Sequence, residues 1–388
     1  TVGVVIANGG NGAAVSGSGK PNVTIRTSNI SGANRAIDFS DGGLAASVAL
    51  SNLRLWASNN SIALAAYQSG GGSTTITQLS DIVIEGGHGE AVGAYFVNAT
   101  FDADLATASY ETVDASLTIG STGARVSGLG LSLVGATGAL NFTNLDIYNQ
   151  GATGLSAGIG SLALSSAAGT LDTVNGTTLV LNAAQTDLVF DSVVHSGTGA
   201  GVNVIGSLTG IGAGGRALQV GTLNVASAST NGILIAGNVN GLISFGAGSS
   251  IAGTTGSAIS ISSGTGTLGF TYDGSISQAN NAALLSVASH NGTITFGAGS
   301  TLSATNGAGL QFDNADGIYA FNGTTTLNGG DAGIDNVNGS HGRFTFSHAS
   351  VTRPPGTPMR GWLRGKRAGG PCPRRARSAP AIMRSTAM

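Results

Sequence analysis

The sequence predicts an all-β chain wound as a right-handed parallel β-helix, a solenoid with coils of roughly 25 residues. Three observations predict this fold. Apolar residues recur at a fixed spacing, the 65 glycines lack the three-residue period of collagen, and short segments alternate apolar with polar residues as strands do. Together they indicate many short strands stacked in register.

The repeat is clearest between residues 241 and 346. The segments GLISF, GTLGF, GTITF, GIYAF and GRFTF place glycine at positions 241, 266, 292, 317 and 342, and phenylalanine at positions 245, 270, 296, 321 and 346. Further apolar columns are expected at Ile251, Ile276, Leu302 and Leu327, and at Ile259, Leu284, Leu310 and Ile334. Upstream, Val220 lies one period before Phe245, and Ile25, Leu50 and Ile76 share the spacing. Each coil therefore offers three apolar strand centres.

The strands and turns of one coil follow from its residue types. Thr293, Ile294, Thr295 and Phe296 alternate as a strand with one buried face does. Glycine, asparagine and aspartate follow at the corners, where positive φ angles or local side-chain hydrogen bonds are needed. A strand of about four residues cannot bury its apolar face alone, so the coils must stack at the ~4.8 Å strand spacing. We expect residues 1–350 to form about 14 coils, with a poorly defined register over residues 98–215.

Two segments depart from the repeat. An acidic segment at about residues 100–116, with Asp102, Asp104, Glu111 and Asp114, is predicted to project from the rod as an irregular loop. Residues 351–388 hold six of the 7 prolines, the single Cys372 and nine of the 16 basic residues, so we predict an unstructured Arg/Pro-rich tail. That tail is either a basic arm for an anionic surface or an end without a role. Without a cap, the edge at Gly342–Ser347 is open to edge-to-edge self-association.

Charge and composition exclude several function classes. Residues 1–350 carry 7 basic and 18 acidic residues, a net charge of −11, which disfavours nucleic acid as a partner. They contain no cysteine and therefore neither a disulfide framework nor a thiolate metal site. No apolar run has the length of a transmembrane helix, so no transmembrane segment is expected.

The pattern G-x-[IL]-x-F, with glycine, serine and threonine corners and the segment NGAGLQF at residues 306–312, resembles the β-strand-repeat passenger regions of bacterial autotransporters and related surface adhesins. The resemblance covers about residues 1–350 and concerns architecture and composition. It implies a secreted or cell-surface bacterial protein with an adhesin or scaffold role. The partner it implies is a host-surface or matrix glycan or protein.

Candidate catalytic residues are sparse. The segment DIVIEGGHGE brings Asp81, Glu85, His88 and Glu90 onto one coil, where two carboxylates and an imidazole near a turn could perform acid/base chemistry or hold a hard cation. The alternative interpretation is an exposed acidic turn. Asp191 and His195 form a second pair, but four residues of strand should leave them far apart along one face.

Metal binding has one weak candidate. Asp331 and Asp335, beside Gly329, Gly330 and Gly333, come nearest to the calcium-binding nonapeptide repeat, although they occur once and out of register. No cofactor is expected. The sequence therefore favours a non-catalytic β-helix, and the alternative is a carbohydrate-active β-helix enzyme, either a polysaccharide lyase or a glycoside hydrolase.

Overall fold

The computed structural model describes residues 3–5, 11–16, 22–40, 46–58, 60–67, 73–262, 266–329 and 332–352. Within these residues the chain is a parallel β-solenoid of about 13 turns with almost no helix, which confirms the predicted fold class. The single short helix of this part is a 3₁₀ turn at Ala213–Gly215. The predicted tail begins two residues too early, because Val351 and Thr352 belong to the last strand of the chain. Residues 353–388 and the candidate Asp331 lie outside the described residues.

The sheet that contains the longest strands, together with shorter ones, bends along its middle, so that it supplies two of the three sides of each coil. This long-strand sheet consists of β3 (Asn22–Gly32), β5 (Ser47–Ala57), β7 (Thr75–Ile84), β9 (Thr100–Phe101), β10 (Val113–Ile119), β12 (Thr137–Gln150), β14 (Ser161–Ser166), β15 (Thr170–Val174), β16 (Leu179–Ser196), β18 (Arg216–Ala226), β20 (Val239–Phe245), β21 (Ser250–Ala252), β23 (Leu268–Tyr272), β24 (Ser275–Gln278), β26 (Thr293–Phe296), β27 (Thr301–Ala304), β29 (Ile318–Asn328) and β31 (Arg343–Thr352).

Shorter strands form the third side. This short-strand sheet consists of β1 (Gly3–Val5), β2 (Asn11–Ser16), β4 (Arg35–Asp38), β6 (Ile62–Tyr67), β8 (Val92–Val97), β11 (Leu129–Val134), β13 (Leu155–Gly158), β17 (Val202–Gly210), β19 (Ile233–Ala236), β22 (Ile259–Ser262), β25 (Ala283–Ala288), β28 (Gly309–Asp313) and β30 (Gly333–Val337), together with the first residues of β16. The last residues of β17, from Leu208 onward, pair with β20 and thus extend into the long-strand sheet. Strand β1 pairs antiparallel with β2, whereas β2 pairs parallel with β4.

In β3, β5 and β7, residues with positive φ make the bend of the long-strand sheet. Thr27, Asn52 and Asp81 have φ angles of 49°, 52° and 55°, and the strand registers place them one above another. Asparagine and aspartate tolerate this left-handed region better than other non-glycine residues do. Asp81 is therefore a corner residue with a structural role.

Aromatic rings stack along the interior of the C-terminal coils. Phe321 lies between Phe296 and Phe346, with ring-centroid distances of 5.0 and 4.5 Å and interplanar angles of 12° and 6°. Phe270 lies in the predicted stack, with its ring centroid 5.8 Å from that of Phe245 and 6.4 Å from that of Phe296, although Tyr272 is the register partner of both residues. Because a slip of two residues keeps the same strand face inward, both rings remain buried.

The other predicted columns are also displaced locally. Leu285, and not Leu284, lies above Ile259, because an irregularity follows Ala283 in β25. Thr325 lies above Leu302, and the expected Leu327 pairs with Ala304. Near the start, Ile25 pairs with Leu50 as predicted, but Ile76 pairs with Val48. The match of Val220 with Phe245 is confirmed.

Coil length varies most in the middle of the chain. Leu171 pairs with Val193, 22 residues later, whereas Val193 pairs with Leu223, 30 residues later. The longest coil, from Leu79 to Ala115, contains the acidic segment, of which residues 102–112 leave the sheet between β9 and β10. The loop is therefore shorter than predicted, and Asp114 lies in β10. These unequal lengths explain why no constant register was visible there in the sequence.

Candidate functional site

Three of the four candidate residues in DIVIEGGHGE, namely Glu85, His88 and Glu90, lie together where β7 ends. We call Arg54, Trp56, Glu85, His88 and Glu90 the corner cluster. The guanidinium of Arg54, on the adjacent β5, contacts the Glu85 carboxylate with Nη2 at 2.5 Å and Nε at 2.9 Å from Oε1. His88 Nε2 lies 3.7 Å from Glu85 Oε2, and the ring centroids of His88 and Trp56 are 6.2 Å apart. Glu85 is thus paired with a neighbouring cation.

Glu90 lies inside the solenoid wall. Its residue surface is fully buried, its Oε2 accepts a hydrogen bond from the His88 backbone N–H at 3.1 Å, and its Oε1 has no partner among the described residues. Burial raises the pKa of Glu90, because the charged form loses its hydration. A carboxyl group with a raised pKa close to an ion-paired carboxylate resembles an acid/base pair, yet a buried Glu90 is out of reach of a large substrate.

Asp81 does not belong to this cluster. Its position at the bend separates it from Glu85 by four residues of extended chain, about 13 Å. The prediction that all four residues share one coil holds, but the structure brings only Glu85, His88 and Glu90 together.

The remaining sequence candidates do not converge. Asp191 is exposed and accepts a hydrogen bond from the Gly169 N–H, while His195 is buried and its Nδ1 lies 3.3 Å from Thr178 Oγ1. The expectation that they share one strand face is wrong, because the sheet bends between them. Asp335 Oδ2 accepts a hydrogen bond from Gln311 Nε2 at 2.8 Å. Within the described ranges, no group of three or more His, Cys, Asp or Glu side chains could hold a metal ion.

A groove on the outer surface of the long-strand sheet is the second candidate site. It has a volume of about 340 Å³ and crosses β18, β20, β23 and β26. Its walls and floor consist of Ala213, Arg216, Gln219, Leu242, Ile243, Ser244, Gly269, Phe270, Thr271, Thr293 and Thr295. Arg216 supplies the one charged side chain of this lining.

A row of hydroxyl groups runs along the groove beside one exposed leucine. Ser244, Thr271 and Thr295 are register partners and form a row of hydroxyl groups one strand spacing apart. Beside them lies Leu242, which is 46% exposed and leans over Gly269, since a Cβ on that glycine would lie 2.5 Å from Leu242 Cδ2. The groove therefore offers hydroxyl donors and acceptors next to an apolar strip.

The end of the groove is a short projection at residues 211–216. Arg216 contacts the Asp187 carboxylate through two nitrogens, Nε at 2.5 Å and Nη2 at 3.1 Å. This hydrogen-bonded pairing raises the pKa of Arg216. The same carboxylate packs against Gly212, where a Cβ would lie 2.1 Å from Oδ1. The projection is thus held rigidly against the preceding coil.

Sequence reasoning missed both Trp56 and the groove. Trp56 contacts His88 because the strand register stacks Ser31, Trp56 and the end of β7 above one another. The spacing of the repeat varies in this part of the sequence, so the register could not be read from it. The groove depends on the projection, whose signal in the sequence was the glycine-rich GIGAGGR at residues 210–216 between two strand patterns.

No helix in the described part of the chain has the length and apolarity needed to cross a bilayer. No family model, no curated protein and no solved structure matches the chain.

Proposed function

We propose that this chain is a non-catalytic β-solenoid of the bacterial cell surface or surrounding medium, which acts as an adhesin or surface scaffold and binds an uncharged glycan chain in the groove. The observation that carries this proposal is the row of hydroxyl groups beside the apolar strip of Leu242. Sugars present hydroxyl groups at their edges and C–H groups at their faces, so such a surface matches both.

The charge of the groove favours a neutral ligand. Its one cation, Arg216, is already paired with Asp187, so it is not free to neutralise a uronate or a sulfate. Since the row of hydroxyl groups follows the solenoid axis, an extended chain could contact several coils at once. Rigid strands position these side chains, which limits the ordering cost of binding.

A glycan array probed with the whole chain tests the proposal, with Thr271→Val as the groove variant. Thr301→Val, an exposed threonine on the other half of the sheet, is the matched control. We expect Thr271→Val to weaken binding about tenfold, the loss of one or two hydrogen bonds, and the control to bind as the parent does. Equal binding by all three proteins would contradict the groove assignment, and recognition of proteins alone would replace the glycan as partner.

A carbohydrate-active enzyme is the second candidate, because the corner cluster places an ion-paired Glu85 near a Glu90 whose pKa is raised. The test is the release of reducing or unsaturated sugars from neutral and acidic polysaccharides. Cleavage that Glu85→Gln abolishes would establish this function in place of adhesion. If the parent protein cleaves none of these polysaccharides, the enzyme hypothesis is wrong and the carboxyl pair has a structural role.

A further inference from the structure

The two ends of the solenoid are the two edges of the same long-strand sheet. Strand β3 begins this sheet and pairs with β5, and β31 ends it and pairs with β29; no further strand of the described ranges pairs with either one. At the C-terminal end, Phe344 and Phe346 are only partly buried, Ala349 is exposed and Val351 is 37% exposed. Within the part of the chain that the structure describes, each end thus presents a strand edge without a neighbour and incompletely covered apolar side chains.

The inward residues of these two edges have the same spacing. On β31 they are Phe344, Phe346, Ala349 and Val351, which lie in register with the buried Tyr319, Phe321, Thr325 and Leu327. On β3 they are Val23, Ile25, Ser28 and Ile30, which lie in register with the buried Val48, Leu50, Leu53 and Leu55. The steps of two, three and two residues are identical, so β3 could follow β31 in parallel without a bulge.

The short-strand sheet completes the match. At the C-terminal end, the long-strand sheet extends one strand beyond β30, since β31 follows β30 in the chain. At the N-terminal end, the short-strand sheet begins one strand earlier, since β2 precedes β3 and pairs with β4. The strand that protrudes at one end therefore fits the strand that protrudes at the other. When β31 of one copy pairs with β3 of the next, β30 of the first copy would lie next to β2 of the second.

The outward side chains of the junction are compatible. With the inward residues aligned, Arg343 would lie opposite Asn22, Thr345 opposite Thr24, and Ser347 opposite Arg26. No like charges face each other, so no repulsion opposes this pairing.

Strand β1 occupies the place that the neighbour would need. It pairs antiparallel with β2, Val4 opposite Val15, on the edge of β2 where β30 of a second copy would lie. From this geometry we infer that the partner of the open ends is a second copy of this chain, joined head to tail, β31 on β3, once β1 is released. Such a heterologous contact does not close on itself, so it propagates as a filament, and β1 acts as the cap that limits it.

Site-directed disulfide formation between copies tests this junction, in a Cys372→Ser background of the whole chain. Thr345→Cys and Thr24→Cys are prepared as separate proteins and mixed under oxidising conditions. Both residues are exposed and point outward, so neither change disturbs the core. Adjacent parallel strands place register partners about 4.8 Å apart, within the range that a disulfide spans, whereas Asn22→Cys would lie about 8 Å from Thr345→Cys and serves as the control.

We expect about tenfold more disulfide-linked dimer from the Thr345→Cys and Thr24→Cys mixture than from the mixture with Asn22→Cys. Val4→Pro, which removes a backbone donor from β1, should increase the yield of the first mixture. Equal yields from the two mixtures, or Thr345→Cys forming dimers chiefly with itself, would overturn the head-to-tail junction. An unchanged yield with Val4→Pro would overturn the capping role of β1.

Discussion

Replacing Phe321 by alanine should open the C-terminal coils of the solenoid. Phe321 is 1% exposed and stacks on both sides, against Phe296 at 5.0 Å and Phe346 at 4.5 Å. Phe346→Ala is the matched control, because that ring closes the same column and has one stacked neighbour. The two variants remove the same atoms from different depths of one column.

The magnitude follows from these surroundings. A buried phenylalanine exchanged for alanine costs about 3–5 kcal/mol, which includes the lost transfer free energy and the cavity that remains. Phe346 is only partly buried, so its replacement should cost about half as much, ~2 kcal/mol. Because each coil of a solenoid contacts only its neighbours, both losses should stay local to the C-terminal coils.

Native-state hydrogen exchange measured by mass spectrometry resolves this coil by coil. In Phe321→Ala, the opening free energy of β26, β29 and β31 should fall by about 3–5 kcal/mol or to the limit of local opening, while β12 and β16 keep their protection. In Phe346→Ala, only β31 and β29 should respond. Equal effects of the two variants, or a loss of protection spread over the whole chain, would refute the stacked column.

Three further predictions concern buried polar groups, each measured by urea denaturation. Burial lowers the pKa of His290 below its ordinary value of 6.5, so below that pH the unfolded chain binds the proton more readily than the folded chain does. The contribution of His290 to stability should therefore be constant above about pH 6.5 and decrease below it, by up to ~1.4 kcal/mol per pH unit, and buried His195 acts in the same direction. His290→Asn should flatten this decrease, whereas His341→Asn, whose side chain is 83% exposed, should not. Glu90→Gln should stabilise the fold at pH 7 by about 1 kcal/mol but not below pH 4.5, because the raised pKa of Glu90 makes its ionisation unfavourable in the folded chain; an equal gain at both pH values would contradict this origin. Thr325→Val should raise stability by about 1–2 kcal/mol, since the buried Thr325 hydroxyl has no partner among the described residues, and a loss would show that it has one.

The fold was predictable because the sequence features that determine it recur in every coil. Alternation within strands, glycine at corners and a spacing near 25 residues together predict a parallel solenoid. The register was less predictable, since Phe270 and Tyr272 are both aromatic and lie on the same strand face. A shift of two residues leaves their burial unchanged, so composition cannot distinguish the two columns.

The candidate sites were predictable only in part. Glu85, His88 and Glu90 are neighbours in sequence, and a turn keeps them together in space. Arg54 and Trp56 join them from another coil, 31 residues before Glu85 in the case of Arg54, and only the strand register brings them there. The groove requires in addition that Asp187 holds the projection at residues 211–216, a contact between coils that no local pattern encodes.

The most direct test of the stacked solenoid is a disulfide within one molecule, in a Cys372→Ser background. In the structure, Ser244 and Thr271 are register partners. Aligning the segments GLISF and GTLGF by sequence would instead place Ser244 beside Gly269. The pair Ser244→Cys with Thr271→Cys should form an intramolecular disulfide in the monomer, and Ser244→Cys with Gly269→Cys should not, because its Cα atoms would be about 8 Å apart. The reverse result, or no intramolecular disulfide in either variant, would contradict the arrangement of coils described above.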